Sequence, residues 1–199
     1  LRQMKKVLVV GGGGRCHAIV DALSRSPQVS QIFCAPGNAG IASQATTVPV
    51  ADTDVEALKA FAIKEGIDLT VVGPEASLAA GIVDSFREAG LKIFGHSRSA
   101  TMIESSKEFA KRLMLEHGIP TAAYRCFTSY DEALAYVDSR PYPAVIKYDG
   151  LAAGKGVVIA ADRREADDAL RSMLLDGAFG EGKVVIEDWL EGPEFSFMC

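Results

Sequence analysis

The chain has 199 residues, 48% of them hydrophobic, and a formal net charge of −5. This length suffices for one large or two small domains with cores that need no disulfide or metal. The acidic balance argues against a nucleic-acid-binding surface, and no apolar run approaches the ~20 residues that span a bilayer. Its four scattered cysteines fit neither a disulfide framework nor a zinc pair, and the N-terminus lacks a signal-peptide pattern. We therefore expect a cytoplasmic protein.

The first half of the chain alternates between predicted strands and predicted helices. Residues 7–10 form a continuous apolar run, typical of a parallel strand buried on both faces. Further strands are predicted at residues 31–35, 47–50, 68–72 and 92–94, and helices at residues 15–26, 54–65 and 77–89. Helices between successive strands imply crossover connections and a mostly parallel sheet. We expect residues 1–104 to form a doubly wound α/β domain.

The second half of the chain has a different pattern. The predicted helices cover residues 106–117, 130–139 and 164–175, and the predicted strands cover residues 124–127, 144–148, 157–161, 183–189 and 195–198. Residues 144–148 and 157–161 flank a glycine-rich turn with no helix between them, which is typical of a hairpin. We expect a connecting helix and linker over residues 105–122 and a small α+β unit over residues 123–188. The last predicted strand reaches the end of the chain, so residues 189–199 are expected to begin a further subdomain that continues beyond them.

Four glycines, residues 11–14, directly follow the first predicted strand and open a helix. Unpaired amides at a helix N-terminus attract anions, and glycine lets a phosphate approach the backbone, where Arg15 can add a bidentate contact. A dinucleotide-binding fingerprint is not present, because Cys16 or His17 stands where the third glycine belongs. Residues 34–37 also lack the acidic residue expected at the end of the second strand. The interpretation is a phosphate loop; the alternative is a tight turn whose glycines serve packing alone.

Two more loops follow predicted strands of the same sheet. Their sequences are P-G-N-A-G at residues 36–40 and G-P-E-A at residues 73–76. Ligands bind at the carboxyl ends of the strands in open parallel sheets, so the three loops should converge on one pocket. Asn38 can donate to a hydroxyl and Glu75 can accept from ribose hydroxyls or an amine. Considered alone, each is equally well explained as a turn residue.

The second glycine-rich loop covers residues 149–156 and has the spacing G-x-x-x-G-K-G. It is not a P-loop, because it lacks the Ser or Thr that holds magnesium and lies between two strands. Its glycines and Lys155 can still fold over phosphates. Lys147 ends an apolar strand, where a partly buried ammonium needs an anion such as a phosphate, unless its side chain reaches solvent. A purine ring can lie between this loop and the strand before Leu190, whose backbone would supply hydrogen bonds.

Several stretches of the chain, in order, resemble the N-terminal half of glycinamide ribonucleotide synthetases, which are ATP-grasp ligases. They include VLVVGGGGRCHAI, APGNAG, DLTVVGPEASLAAGIVDSF, GLKIFG, SKEFAKRLM, GIPTA, VIKYDGLAAGKGVVIA and VIEDWLEGPEFSF. The resemblance runs from about residue 5 to residue 199. It implies a pre-ATP-grasp domain over residues 1–104, an ATP-grasp lid subdomain over residues 123–188, and the start of the second ATP-grasp half over residues 189–199.

The resemblance also implies a reaction and its reactants. ATP, glycine and 5-phosphoribosylamine would give glycinamide ribonucleotide, ADP and phosphate through a glycyl phosphate intermediate, a step of purine biosynthesis. The expected cofactors are ATP and Mg²⁺, and the magnesium ligands are expected in the second ATP-grasp half, outside these 199 residues. Only small-molecule partners are expected, with no nucleic acid or membrane, and the protein is expected to be a monomer.

The same resemblance assigns site residues. Those implied to bind phosphoribosylamine are Gly13, Gly14, Arg15, Asn38, Gly73 and Glu75. Those implied to bind ATP are Lys107, Lys147, Gly154, Lys155, Gly156, Glu187, Leu190 and Glu194. Lys147 and Lys155 are the catalytic candidates, and no residue is assigned to metal.

The sequence departs from the family pattern at a few positions. Cys16 stands where glutamate is usual, either as a tolerated substitution or as a helix N-terminal thiol with a lowered pKa. Ser77 replaces a usual proline, and Tyr148 replaces a small residue beside the loop and could alter access to it. Two other functions stay open: a different ATP-grasp carboxylate–amine ligase, or a non-catalytic nucleotide-binding fragment if the protein ends at residue 199.

Overall fold

A computed structural model describes residues 4–152 and 154–197 of the chain. The chain divides into two compact units, the first reaching to Met102 and the second beginning at Ile103. Among the described residues, no helix is both long enough and apolar enough to cross a membrane. The finer division of the second unit into a linker, a lid subdomain and the start of a further subdomain stays a prediction.

The first unit contains a five-stranded sheet in which every paired strand is parallel. Its strands are β1 (Lys5–Gly11), β2 (Val29–Pro36), β3 (Thr46–Thr47), β4 (Leu69–Val72) and β5 (Ile93–Phe94). They are ordered β3-β2-β1-β4-β5, so the chain runs from β1 to one edge and returns to β4 on its other side. This reversal confirms the doubly wound arrangement. It also makes the β1/β4 boundary the switch point, where such sheets bind ligands.

The helices of this unit are α1 (Gly14–Ser24), α2 (Val55–Glu65), α3 (Glu75–Ala79), α4 (Ile82–Glu88) and α5 (Arg98–Ser105), which crosses into the second unit. The Asp54 carboxylate caps α2 by accepting from the Ala57 amide, and left-handed Gly66 ends it. The prediction of one helix over residues 77–89 was wrong. Gly81 adopts a left-handed conformation (φ 90°) that breaks it into α3 and α4. Helix α5 was not predicted.

Strand β1 forms the centre of the first unit. The side chains of Val7, Leu8, Val9 and Val10 are almost fully buried, because the sheet is covered on both faces. One face packs in a cluster with Leu58, Ile82 and Phe86, and the other packs with Val20 and Ile41. The rigid centre therefore holds the carboxyl end of β1, where the first glycine loop begins.

The second unit contains a four-stranded antiparallel sheet. Its strands are β6 (Tyr124–Phe127), β7 (Ala144–Tyr148), β8 (Val157–Ala160) and β9 (Val184–Asp188), in the order β6-β9-β7-β8. Its helices are α6 (Lys107–Glu116), α7 (Tyr130–Asp138) and α8 (Arg163–Leu170), and α8 continues as a π-helical turn over Arg171–Leu175. Strands β7 and β8 form the expected hairpin.

The two faces of this sheet have different environments. Ile146, Tyr148 and Ile186 pack into one apolar cluster with residues of α7 and α8. Because successive side chains of a strand alternate, Lys147 and Glu187 lie on the opposite face. This face carries the charged groups described below.

The strand predicted over residues 195–198 was wrong for the part that the structure describes. Residues 195–197 form no strand, and the side chains of Phe195 and Phe197 are exposed. An extended apolar segment becomes a strand only when its backbone pairs with another strand, and none of the nine strands pairs with it. Residue 198 lies outside the described residues.

Candidate functional site

Three loops meet at the carboxyl end of the parallel sheet, as expected. The Gly37 amide donates to the Gly11 carbonyl oxygen (3.2 Å), and Asn38 Nδ2 donates to the Gly12 carbonyl oxygen (2.7 Å). On the other side of β1, the Gly73 amide donates to the Val10 carbonyl oxygen (3.0 Å). Backbone hydrogen bonds therefore hold the loops after β1, β2 and β4 side by side.

The four glycines of the first loop divide into two pairs. A Cβ atom on Gly11 would lie 2.5 Å from Cys16 Sγ, and one on Gly12 would lie 2.6 Å from the Gly37 carbonyl oxygen. A Cβ atom on Gly13 or Gly14 would meet nothing within 4 Å. The first pair is thus needed for packing, whereas the second pair faces open space at the start of α1. The packing interpretation holds for the first pair, and the phosphate-loop interpretation stays a prediction for the second.

Arg15 connects the first loop to the loop after β4. Its Nη1 donates to the Gly73 carbonyl oxygen (2.7 Å) and lies 3.8 Å from Glu75 Oε2. The Arg15 side chain is 70% exposed and a guanidinium has five N–H groups, so donors remain for an anion. Arg15 and Glu75 together place one positive and one negative group at the switch point.

Asn38 makes two hydrogen bonds within its own region. Besides the bond to Gly12, its Oδ1 accepts from the Ile41 amide (2.9 Å), at the start of the 3₁₀ helix Ile41–Ser43. These bonds fix the second loop, which agrees with the turn-residue interpretation. One N–H of the amide remains free to contact a hydroxyl, so the binding role is compatible with this geometry.

Cys16 lies beneath the first loop and is almost completely buried. Burial raises the pKa of its thiol, and the smaller opposing effects of the Gly13 backbone and Arg15 do not reverse this. The alternative of a helix N-terminal thiol with a lowered pKa is therefore wrong. Cys16 instead occupies the space between Gly11 and Gly73, where an added Cβ would lie 2.3 to 2.5 Å from its sulfur.

In the second unit, the Asp149 carboxylate holds the second glycine loop against the start of α6. Its Oδ1 accepts from the amides of Lys107 (2.5 Å) and Glu108 (3.1 Å), and its Oδ2 accepts from Ser106 Oγ (3.2 Å). Asp149 was not among the predicted site residues. No local sequence pattern identifies it, because the residues it contacts are more than 40 positions away.

Lys107 and Lys147 lie near each other in the second unit. Lys107 Nζ donates to the Gly150 carbonyl oxygen (3.0 Å). Its pKa is lowered, mainly by burial and further by the charge of Lys147, against an opposing effect of Asp149. Lys147 Nζ lies 2.9 Å from both carboxylate oxygens of Glu187, so Glu187 is the anion that this strand-end lysine contacts in the structure. Two cations and one nearly buried carboxylate are thus brought together.

The loop between β7 and β8 closes on itself. The Lys155 amide donates to the Ala152 carbonyl oxygen (2.8 Å), and the Tyr148 amide donates to the Gly156 carbonyl oxygen (2.8 Å). Gly154 is left-handed (φ 78°) and exposed, as is Lys155. Position 153 of this loop lies outside the described residues. The closing role of this loop stays a prediction.

Tyr148 supports this loop from the helix-covered face of the sheet. Its ring packs against Phe179, and its hydroxyl donates to the Glu181 carbonyl oxygen (3.3 Å). A Cβ atom on Gly182 would lie 2.7 Å from that hydroxyl. Because Tyr148 and Lys147 lie on opposite faces, the tyrosine does not cover the lysine.

The remaining predicted ATP-binding residues follow β9. Leu190 and Glu194 are both exposed. A cavity of about 240 Å³ beside β9 is lined by Tyr136, Tyr142 and Trp189. Of the predicted site residues, the lining of this cavity includes Glu187 but none of the lysines. We therefore place the candidate site at the lysines and not in this cavity.

No metal site is visible in the described part of the chain. Between residues 4 and 197, with position 153 left out, no three His, Cys, Asp or Glu side chains stand close enough together to hold a metal ion. The residues present therefore do not by themselves fit a magnesium ion.

Comparison with known proteins identifies the family of both units. Residues 5–104 match the family described as phosphoribosylglycinamide synthetase, N domain, and residues 105–199 match phosphoribosylglycinamide synthetase, ATP-grasp (A) domain. A phosphoribosylamine–glycine ligase of Ralstonia nicotianae is 55% identical over 195 residues, which is 97% of this chain and 46% of that protein. One of Caldanaerobacter subterraneus is 51% identical over 98% of this chain and 47% of that protein. The chain thus spans about half the length of the curated relatives it matches.

Solved structures agree with this assignment. The crystal structure of a phosphoribosylamine–glycine ligase from Thermotoga maritima has a TM-score of 0.73 and 29% identity over 94% of this chain and 44% of that one. A biotin carboxylase from Campylobacter jejuni has a TM-score of 0.75 over 96% of this chain and 46% of that one, but only 17% identity, which shows the fold alone. The fold is therefore shared by different ATP-grasp ligases, and sequence identity distinguishes one family of these ligases from another. This chain belongs to the phosphoribosylglycinamide synthetase family.

Proposed function

We propose that this chain is part of an enzyme that ligates glycine to 5-phosphoribosylamine with ATP, giving glycinamide ribonucleotide, ADP and phosphate. The observation that carries the proposal is the position of Lys107 and Lys147 beside the second glycine loop, where Lys147 pairs with the nearly buried Glu187. With the buried Lys111 counted, three lysines stand against the two carboxylates of Glu187 and Asp149, and this excess of positive charge favours an additional anion. The names of the relatives make glycine and phosphoribosylamine the preferred reactants, and the ATP-grasp description of residues 105–199 makes ATP the preferred nucleotide.

The first unit is proposed to bind phosphoribosylamine. Gly13 and Gly14 leave room for a phosphate at the N-terminus of α1, where unpaired amides and the helix dipole favour negative charge. Arg15 adds a cation beside them. Asn38, Gly73 and Glu75 stand at the adjoining strand ends and would hold the ribose and its amine.

The second unit is proposed to bind ATP. Lys107 and Lys147 would face the phosphates, and the tip formed by Gly154, Lys155 and Gly156 would close over them. Glu187 and Leu190 would contact the adenine ring, and Glu194 the ribose hydroxyls. Support comes from the position of Lys147 on the face of the sheet away from the apolar cluster and from the exposure of Gly154 and Lys155.

The chemistry would be phosphoryl transfer followed by acyl transfer. The glycine carboxylate would attack the γ-phosphorus of ATP, forming glycyl phosphate and releasing ADP. The amine of phosphoribosylamine would then attack the acyl carbon and expel phosphate. Lysines stabilise the charge that develops on phosphoryl oxygens, and Mg²⁺ would neutralise further charge on the nucleotide. The magnesium ligands are proposed to lie outside residues 1–199.

The setting of the protein belongs to the same proposal. We place it in the cytoplasm as a monomer that acts on small molecules. The likeness to biotin carboxylase favours no second function, because at 17% identity it concerns the fold alone.

The activity test measures ADP release from the full protein with ATP, Mg²⁺, glycine and phosphoribosylamine generated in the assay, omitting one component at a time. We expect ADP formation to require both glycine and phosphoribosylamine. Turnover that accepts bicarbonate or another acid in place of glycine would identify a different ATP-grasp ligase. Binding of ATP without any turnover would support a non-catalytic protein.

A variant tests the lysine cluster itself. Lys147→Ala removes a cation from the proposed phosphate site, so ATP affinity measured by calorimetry should fall about tenfold or more. Lys64→Ala provides a control with the same change of charge, because Lys64 is an exposed residue of α2 in the other unit. Equal ATP affinity in both variants would remove Lys147 from the site.

A further inference from the structure

The Glu187 carboxylate contacts a second lysine that no assignment above includes. Lys111 Nζ lies 3.0 Å from Glu187 Oε2, while Lys147 Nζ lies 2.9 Å from both oxygens. The side chains of Lys111 and Glu187 are 9% and 8% exposed. One carboxylate therefore neutralises two ammonium groups in a nearly closed environment.

The two lysines are held differently. Lys111 Nζ also donates to the Ala122 carbonyl oxygen (3.1 Å) and lies over the Tyr124 ring, 5.6 Å from its centre. Lys147 is 27% exposed, and in the described part of the chain its ammonium hydrogen-bonds only Glu187. Lys111 is fixed by its surroundings, whereas Lys147 is able to turn toward another anion.

We propose that Lys111 is a positioning residue that keeps the Glu187 carboxylate neutralised, so that Lys147 can leave it for a phosphate of ATP. The inference rests on the proposed binding of ATP in this unit. Without Lys111, movement of Lys147 toward a phosphate would leave a buried carboxylate without a counter-charge, which is strongly unfavourable. Glu187 would then retain Lys147, and a phosphate of the nucleotide would have to compete with the Glu187 carboxylate for the Lys147 ammonium group.

Lys111 itself is not a candidate for direct phosphate contact. Its ammonium group is buried and already has an anion, a carbonyl oxygen and an aromatic ring around it. An effect of Lys111 on ATP binding would therefore act through Glu187 and Lys147. Because the route is indirect, a substitution of Lys111 should weaken the binding of ATP but not the binding of a ligand that lacks a phosphate.

The test measures ATP and adenosine binding to the full protein by calorimetry, with Lys111→Met as the variant. Methionine preserves much of the side-chain volume and removes the charge. ATP affinity should fall about tenfold or more, which corresponds to 1.4 kcal/mol or more. Adenosine affinity should stay within about twofold, since adenosine has no phosphate to draw Lys147 away. Equal losses for both ligands would indicate a merely structural role and overturn the proposal.

A second comparison does not depend on the stability of Lys111→Met. Glu187→Gln removes the buried negative charge, so the charge of Lys111 should no longer matter to Lys147. Glu187→Gln and the double variant Lys111→Met/Glu187→Gln should then bind ATP with equal affinity, within about twofold. A further loss of ATP affinity in the double variant would overturn the proposal.

A conservative variant separates charge from shape. Lys111→Arg retains the positive charge, so its ATP affinity should lie closer to the unsubstituted protein than that of Lys111→Met. Failure of this inference is distinguishable from failure of the proposed function. If this inference fails, ATP binding depends on Lys147 but not on Lys111. If the proposed function fails, the unsubstituted protein does not bind ATP.

Discussion

Ser77 in α3 is fully buried, and its hydroxyl oxygen has no hydrogen-bond partner among the described residues. A buried polar atom without a partner loses its hydration and gains nothing in return. The sequence identified this position as a departure from the family pattern but did not indicate its energetic consequence. The structure assigns it a cost in stability.

Ser77→Ala should raise the free energy of unfolding by about 1 kcal/mol, because alanine fills the same site without an unsatisfied hydroxyl. The measurement is urea unfolding of the two proteins. Ser24→Ala is the control: Ser24 is exposed, so the change should stay within about 0.5 kcal/mol. A fall in stability on Ser77→Ala would mean that the hydroxyl has a partner in solution.

The turn between β1 and α1 combines a structural role with the proposed role in phosphate binding. Gly12 is closely packed against the Gly37 backbone, whereas Gly13 faces open space only one position later. Sequence patterns treat the two residues alike. Substitutions should separate their roles.

Gly12→Ala should destabilise the first unit by about 1–3 kcal/mol, because the added methyl group overlaps a backbone oxygen that cannot move freely. Gly13→Ala should cost less, about 0.5–1 kcal/mol, since alanine is a poorer N-cap than glycine but its methyl group would meet no other atom. It should nevertheless raise the KM for phosphoribosylamine if a phosphate approaches the loop. Urea unfolding and steady-state kinetics measure these effects. A stable Gly12→Ala protein would contradict the packing role.

The stability of the whole molecule should depend on pH. Hydrogen bonds from Lys5 to Asp68 and from Tyr130 to Asp167 lower the pKa of both carboxyl groups. The unfolded state therefore takes up protons first as the pH falls below about 4, and stability should decrease in acid.

Burial raises the pKa of Cys34 and Cys126 from 9.0 to about 11. The unfolded state loses these protons first, so stability should also decrease as the pH rises from about 9 to about 11.

Urea unfolding between pH 3 and pH 11 would check this profile. Cys34→Ala and Cys126→Ala should each make the alkaline decrease shallower, and Asp68→Asn should do the same for the acid decrease. Each variant is compared with the unsubstituted chain at pH 7, so that the change in packing is separated from the change in titration. A flat profile from pH 9 to pH 11 would show that neither thiol is buried in solution.

Much of the fold was predictable because its signals are local. Alternating apolar runs and helical segments determined the doubly wound sheet, and the pair of strands around a glycine-rich turn determined the β7–β8 hairpin. Helix α2 ends at Glu65, as predicted, with left-handed Gly66 behind it. The errors have a common cause. Gly81 broke a predicted helix because its left-handed conformation depends on surrounding structure, and residues 195–197 formed no strand because strand formation requires a partner.

The sequence alone therefore determined the family and the parallel sheet, since motifs and periodicity are properties of neighbouring positions, and the binding residues it indicates stay predictions. Only the tertiary structure showed that Asp149 holds the start of α6, that Glu187 is shared by Lys111 and Lys147, and that Gly12 and Gly13 differ in their surroundings. These facts depend on contacts between segments far apart in the chain, and on burial, which sets the strength of charge interactions.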